Sequence, residues 1–453
     1  MGIKEKRNKS IDYRRRIALT YILLALVGGL LLFSPFTTKN GQDINLIDAF
    51  FVAASALSDT GLSPISTADV FNNFGQVILL VLIMVGGIGI MSVKVGLFVF
   101  IGKKINVASR MLIYTEQGLT NRAGIVKLIK DSILIIIATE IIFAIIIMFH
   151  MMVKYDYDIL HALWFGIFHS ISAINNAGFD LTGQSLIPFD QDYLFQTYMM
   201  LLIIIGGIGF PVLVDIKNYL GARKENKSYR FSLFTKISLT TYFTLIIVGC
   251  LLILICDYNF IFVETGGIKG FFYALFQTVS ARNAGFSTVS LTEFNTNSQM
   301  VLSLLMFIGA SPASTGGGIR TTTLAILFLY IRAFATNVKD VNAFHRRLSK
   351  ENIFNAFITL LISSILFIVA TFLVVLFDHD TDVMKIIFEV ASAFGTTGLT
   401  MDYTPHLNDA SKIVLACVMV IGQMGITNLL FLISRNKEHQ DKIRYPEENI
   451  IVG

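Results

Sequence analysis

Four stretches of this chain repeat one arrangement of small polar residues around a glycine. They are Ser55-Ala56-Leu57-Ser58-Asp59-Thr60-Gly61-Leu62, Ser172-Ala173-Ile174-Asn175-Asn176-Ala177-Gly178-Phe179, Ser280-Ala281-Arg282-Asn283-Ala284-Gly285-Phe286 and Ser392-Ala393-Phe394-Gly395-Thr396-Thr397-Gly398-Leu399. The glycines are 117 (178 − 61), 107 (285 − 178) and 113 (398 − 285) residues apart, an internal repeat. The chemistry such a stretch offers is that of the backbone. A glycine tolerates positive dihedrals, so neighbouring carbonyl oxygens can turn toward a common axis. A ring of carbonyls can replace the hydration shell of a cation. One such loop would be only a tight turn after a helix; four in register point to a ring. The residues expected to line it are Asp59, Thr60 and Gly61; Asn176, Ala177 and Gly178; Asn283, Ala284 and Gly285; and Thr396, Thr397 and Gly398.

The flanking elements follow from length and hydropathy. The 453-residue chain is 54% hydrophobic and only 15% charged, against about 25% charged in an ordinary globular domain. Eight apolar runs are long enough to span a bilayer, near 17–36, 75–101, 131–153, 193–216, 235–256, 299–333, 352–377 and 410–433. Between the members of each pair lies a shorter run ending at the repeated Ser-Ala: 46–58, 159–174, 270–281 and 383–394. A dozen residues make a helix of about 18 Å, too short for a bilayer core of about 30 Å. A half-spanning helix followed by irregular backbone is tolerated only inside protein or beside water. The expected fold is therefore all-α integral membrane, with four helix–pore-helix–filter-loop–helix repeats (eight transmembrane helices, four half-helices) around one pseudo-fourfold pore. The divisions are 1–102, 103–217, 218–334, 335–434 and a tail at 435–453.

Charge orients the chain. Lysines and arginines follow the second, fourth, sixth and eighth runs, among them Lys103, Arg110, Lys217, Arg223, Arg332, Arg346 and Arg435. The segments around the repeated loops are acidic, with Asp43, Asp48, Asp156, Asp158, Asp190, Asp192, Asp378, Asp402 and Asp409. The positive-inside rule then puts both termini in the cytoplasm and all four loops on the outer side, where the acids would concentrate cations. It also accounts for the basic face without nucleic acid. Cys250, Cys256 and Cys417 fall in apolar runs and read as small hydrophobes. Lys94 is expected to snorkel toward the cytoplasm.

The sixth run is interrupted by Gly309-Ala310-Ser311-Pro312-Ala313-Ser314-Thr315-Gly316-Gly317-Gly318-Ile319-Arg320. A proline and four glycines cannot continue a helix, so the chain breaks near mid-membrane, where a plug or gate would lie. No Gly-Lys-Ser/Thr follows, which removes the phosphate-loop reading. Buried charge needs partners. Arg282 is expected to pair with Glu389 or Asp59 and support the loops, or to cap a half-helix carboxyl end without an ion pair. Glu140 reads as a helix-packing or interface contact, with a proton or ion site as the alternative, and His161 and His169 as core-packing or hydrogen-bonding residues, since no carboxylate or cysteine set completes a metal site. No nucleophile–base pair is evident, so no enzyme is expected.

On these four loops, and on Gly86-Gly87-Ile88-Gly89, Gly206-Gly207-Ile208-Gly209-Phe210, Gly309 and Gly422, the chain resembles the Trk/Ktr/HKT superfamily of potassium transporters, closest to the KtrB-type membrane subunit. The resemblance spans residues 15–435. It implies K⁺ uptake across the bacterial plasma membrane, with Gly61, Gly178, Gly285 and Gly398 as signature glycines and 309–320 as a gate loop. Serine at a signature position accompanies Na⁺ permeation in the plant branch, and none is present. The resemblance also implies a homodimer in membrane lipid, a tail near the dimer interface, and a cytoplasmic RCK-type regulatory ring (KtrA/KtrC-like) holding the nucleotide. No cofactor or metal beyond K⁺ is expected on this chain, with Na⁺ as an activating ion. Two departures stand out. Gln423, in Gly422-Gln423-Met424-Gly425, occupies the place of a family arginine that holds the gate closed, so a weaker closed state is expected. Ala313 replaces a further glycine, which implies a stiffer loop. A Na⁺-conducting or ion-coupled relative, and a rocking transporter with broken helices, are the alternatives.

Overall fold

The computed structural model describes residues 2–39, 42–90, 92–93, 110–112 and 124–426. Lys94, the repeat boundary at 102–103 and the tail at 435–453 lie outside them. Among the described residues the fold is all-α apart from a two-residue antiparallel pair, Asn342–Ala343 with Arg346–Arg347.

Four helices are individually long and apolar enough to cross a membrane. They are α1 (Gly2–Phe33, through its segment Arg15–Phe33), α5 (Ile125–Tyr155), α9 (Leu233–Cys256) and α13 (Lys350–Phe377). Each opens one repeat. The short helices follow: α2 (Leu46–Leu57), α6 (Ile159–Ile174), α10 (Gly267–Ser280) and α14 (Val383–Gly395). After a loop, and in the first repeat a single turn of helix, α3 (Thr67–Val70), each repeat starts its second helix. These are α4 (Asn73–Ile88), α7 (Tyr193–Gly207) with α8 (Phe210–Lys224), α11 (Thr296–Phe307) with α12 (Thr321–Ala335), and α15 (Asp409–Met424).

The second helices depart from expectation. Only the third was expected to break, yet all four do. α4 stops at Gly89 with φ +89°, α7 and α8 meet at 101° around Gly209 with φ +96°, and α15 stops at Gly425 with φ +83°. A positive φ is incompatible with a right-handed helix, so the apolar runs 75–101, 193–216 and 410–433 are not continuous spans. The shared spacing Gly-x-x-Gly (86–89, 206–209, 422–425) marks each break. The starts are equally regular. Asn72 accepts from Phe74 and Gly75 N–H, Asp192 from Phe195, Asn295 from Ser298, and Asn408 from Ala410. Each cap satisfies a donor that the first helical turn leaves free.

Apolar side chains pack inward around the short helices, with Phe51, Phe168, Phe276 and Phe388 all fully buried. The long helices keep Leu134, Ile247, Leu361 and Phe372 exposed on their outer faces. That inversion suits lipid as the surrounding solvent.

Candidate functional site: a ring of glycine loops above a broken helix

Each short helix ends the same way. Thr60, Ala177 and Thr397 N–H return to the carbonyls of Ser55, Ser172 and Ser392 at 2.8–2.9 Å, the six-residue closure of a Schellman cap. The third repeat is one residue shorter, and Ala284 returns to Ser280 at 2.8 Å. The repeated serine then ties the loop down. Ser55 and Ser392 Oγ accept from Gly61 and Gly398 N–H at 3.0 and 2.9 Å, and Ser172 Oγ donates to Phe179 O at 2.7 Å. Two residues before each glycine the backbone is left-handed: Asp59 (φ 51°), Asn176 (56°), Asn283 (77°) and Thr396 (51°). The glycines themselves have φ of 94°, 70°, 78° and 90°.

The four loops close on one another. A methyl group on Gly61 would lie 2.6 Å from Ala177 O, and one on Gly178 2.9 Å from Ala284 O. On Gly285 it would strike Thr397 O, and on Gly398 it would strike Thr60 O. Each glycine thus faces the carbonyl before the next, from the first repeat through the fourth and back. A cavity of about 390 Å³ opens on one side, lined by all four glycines and by Asp180 and Asp402. Asp180 is a functional candidate that the loop pattern missed; it sits two residues past Gly178. Several expected rim acids do other work. Asp48, Asp190 and Asp192 form ion pairs with Lys412 (2.7 Å), Lys269 (2.6 Å) and Lys154 (2.9 Å).

The interrupted segment lies on the other side of the ring. Gly317 N–H donates to Thr396 Oγ1 at 2.7 Å. With its amide nitrogen turned toward the carbonyls of Ile203 and Ala173, Asn176 accepts from Thr315 Oγ1 at 3.2 Å. Gly316 packs so close to Asn283 that a methyl group there would lie 2.6 Å from its Cβ. Gln423 Nε2 donates to Thr315 O at 3.0 Å and to Asp59 Oδ2 at 3.3 Å. All four left-handed residues therefore bear on the segment 315–317, directly or through Gln423. The other end is held by the second repeat: Ser311 N–H donates to Gly207 O at 3.1 Å, and Phe210 N–H to Ala313 O at 2.7 Å. Arg320 donates to the carbonyls of Ser311 and Gly316. Ala313 holds φ at +54°, where a side chain is strained by about 1–2 kcal/mol.

Arg282 corrects the expected ion pair. Its guanidinium reaches neither Glu389 nor Asp59. It donates to Leu305 O at 3.1 Å and to the carbonyls of Ile308 and Gly309, and lies 5.4 Å from the Tyr242 ring centroid. These carbonyls are the open end of α11, where a cation suits the helix dipole. Arg282 caps the hinge from which the broken segment departs. Glu389 instead accepts from Thr400 and Thr404 hydroxyls, beyond Gly398. Glu140 accepts from Asn175 Nδ2 at 3.1 Å and braces the second loop. His169 is fully buried against Phe165, whereas His161 is exposed beside Tyr157 and not in the core. Among the described residues no group of three metal-ligating side chains occurs.

A loop ring held by short helices inside apolar, lipid-facing helices defines an integral membrane transport protein. The family of TrkH cation transport proteins matches residues 29–444, and the chain belongs to it, with the membrane subunits of the Trk/Ktr/HKT superfamily. It is 38% identical over 437 residues to Ktr system potassium uptake protein D of Bacillus subtilis (strain 168), covering 96% of each chain. It is 32% identical over 463 residues to potassium/sodium uptake protein NtpJ of Enterococcus hirae, covering 100% of each. The crystal structure of the potassium transporter TrkH from Vibrio parahaemolyticus shares the fold, with TM-score 0.71 and 22% identity over 94% of this chain and 85% of that one. The protein is a multi-pass membrane cation transporter and not an enzyme.

Proposed function

We propose that this chain carries K⁺ into the cell across the bacterial plasma membrane, through one pore enclosed by its four repeats. The carbonyls of Thr60, Ala177, Ala284 and Thr397, with the glycines beside them, replace the water around the ion. The segment 309–320 closes the path beneath them, held by Gln423. The observation that carries this reading is the closed circuit of glycine and carbonyl around the four loops. Backbone dipoles fixed in that way cost no reorganisation when an ion arrives. Both curated relatives above are potassium uptake proteins by name, which supports K⁺ as the ion. The same family reading supplies a homodimer, a cytoplasmic RCK-type ring that reads nucleotide, and Na⁺ as activator.

The test is the reversal potential of purified protein in liposomes under opposed K⁺ and Na⁺ gradients. A value near the K⁺ potential is expected. A value midway between the two would remove the selectivity claim. The sodium in the name of the Enterococcus hirae relative makes Na⁺ conduction the second reading, and the same measurement separates them.

A further inference from the structure

Asp59 is the one acid among the four left-handed loop residues, its counterparts being Asn176, Asn283 and Thr396. Its side chain has no exposure to solvent. Oδ2 meets only the Gln423 amide, at 3.3 Å, and Oδ1 has no hydrogen-bond partner. Among the described residues no lysine, arginine or histidine comes within ion-pair distance of it. The Gln423 amide oxygen is also buried and unpartnered. α4 closes the space behind, since a methyl group on Gly86 would lie 3.1 Å from Asp59 Oδ2.

A buried carboxylate without a counter-charge is strongly unfavourable. Two orphaned oxygens, one of them anionic, on side chains already in contact at 3.3 Å offer a donor set for a hard cation. A single negative charge matches a monovalent ion. We propose that Asp59 and Gln423 hold a monovalent alkali cation between the glycine ring and the gate segment. The proposal rests on the pore reading above and adds a binding position that the ring itself does not supply. Gln423 also holds Thr315 O, so an ion taken by its amide oxygen fixes the same side chain that holds the gate segment. Occupancy of this site and closure of the segment are thereby linked.

The experiment is the thermal melting of the purified full chain against K⁺ concentration, with choline chloride keeping ionic strength constant. Asp59→Asn and Gln423→Arg are compared with the parent. The first removes the charge; the second supplies an internal cation. In both, the K⁺ concentration giving half the stabilisation is expected to rise at least tenfold. An unchanged midpoint in both overturns the site. Should Asp59→Asn fail to fold, Gln423→Arg decides alone. Rubidium provides localisation: anomalous density beside the Asp59 carboxylate supports the site, and density confined to the glycine ring overturns it. The reversal potential of the parent separates the two readings. If that potential follows K⁺ and the midpoints do not move, only the Asp59 site fails.

Discussion

Gln423→Arg offers the sharpest test of the gate. Gln423 now makes one neutral hydrogen bond to Thr315 O and one long bond to the Asp59 carboxylate. Neutral bonds contribute about 0.5–1.5 kcal/mol net, and bonds to charged groups about 1.5–3 kcal/mol. A guanidinium reaching the same two acceptors makes the first bond charge-assisted and turns the second into an ion pair. The gain in the closed state is about 1–2 kcal/mol. At about 1.4 kcal/mol per decade, basal K⁺ flux falls roughly 5- to 30-fold. The assay is K⁺-driven proton uptake into liposomes holding the chain alone, read by a pH-sensitive dye with a protonophore present. Asp59→Asn in the same background should return much of the lost flux, because the arginine then has no carboxylate to bind. Flux equal to or above the parent value in Gln423→Arg would refute the latch.

The other expectations are local. Gly398→Ser places a side chain against Thr60 O at φ +90°, so the reversal potential should move from the K⁺ toward the Na⁺ potential; an unmoved potential would dissociate the ring from selectivity. Thr396→Val removes the acceptor for Gly317 N–H, a loss of about 1 kcal/mol, and basal flux in the same liposomes should rise about fivefold. Arg282→Met leaves the carbonyls of Leu305, Ile308 and Gly309 without their donor. Each buried carbonyl left unpaired costs about 1–3 kcal/mol, so detergent-solubilised protein should melt below the parent, while Arg282→Lys should recover part of the difference.

The repeats, the short helices and the family were legible because each is written several times in the sequence. Ser-Ala followed by glycine recurs four times, and the serine proves to be the residue that ties the loop to its helix. What stayed hidden depended on distance in space. Arg282 reads as half of an ion pair or as the cap of a short helix; it caps a different helix, α11, which ends beside it and offers three carbonyls. The breaks at Gly89, Gly209 and Gly425 were masked by unbroken hydropathy; the Gly-x-x-Gly spacing, equal in three repeats, was the available signal. Asp48, Asp190 and Asp192 looked like a field for cations, yet each has a lysine from another element. Asp180 carries no signal in segment acidity; its offset of two residues from Gly178 is what places it at the cavity.

The contact between Phe210 and Ala313 has a mechanical meaning. Phe210 is the first residue of α8, and its N–H is bound to the carbonyl of the strained residue in the broken segment. α8 runs from there to Lys224, turned 101° away from α7. A helix fixed at one end to the broken segment and extending sideways from it has the geometry of a lever. Force applied at Arg223 or Lys224 reaches Ala313 through fifteen residues of helix and one hydrogen bond. If the segment is the gate proposed above, whatever grips the far end of α8 can pull on it without touching it.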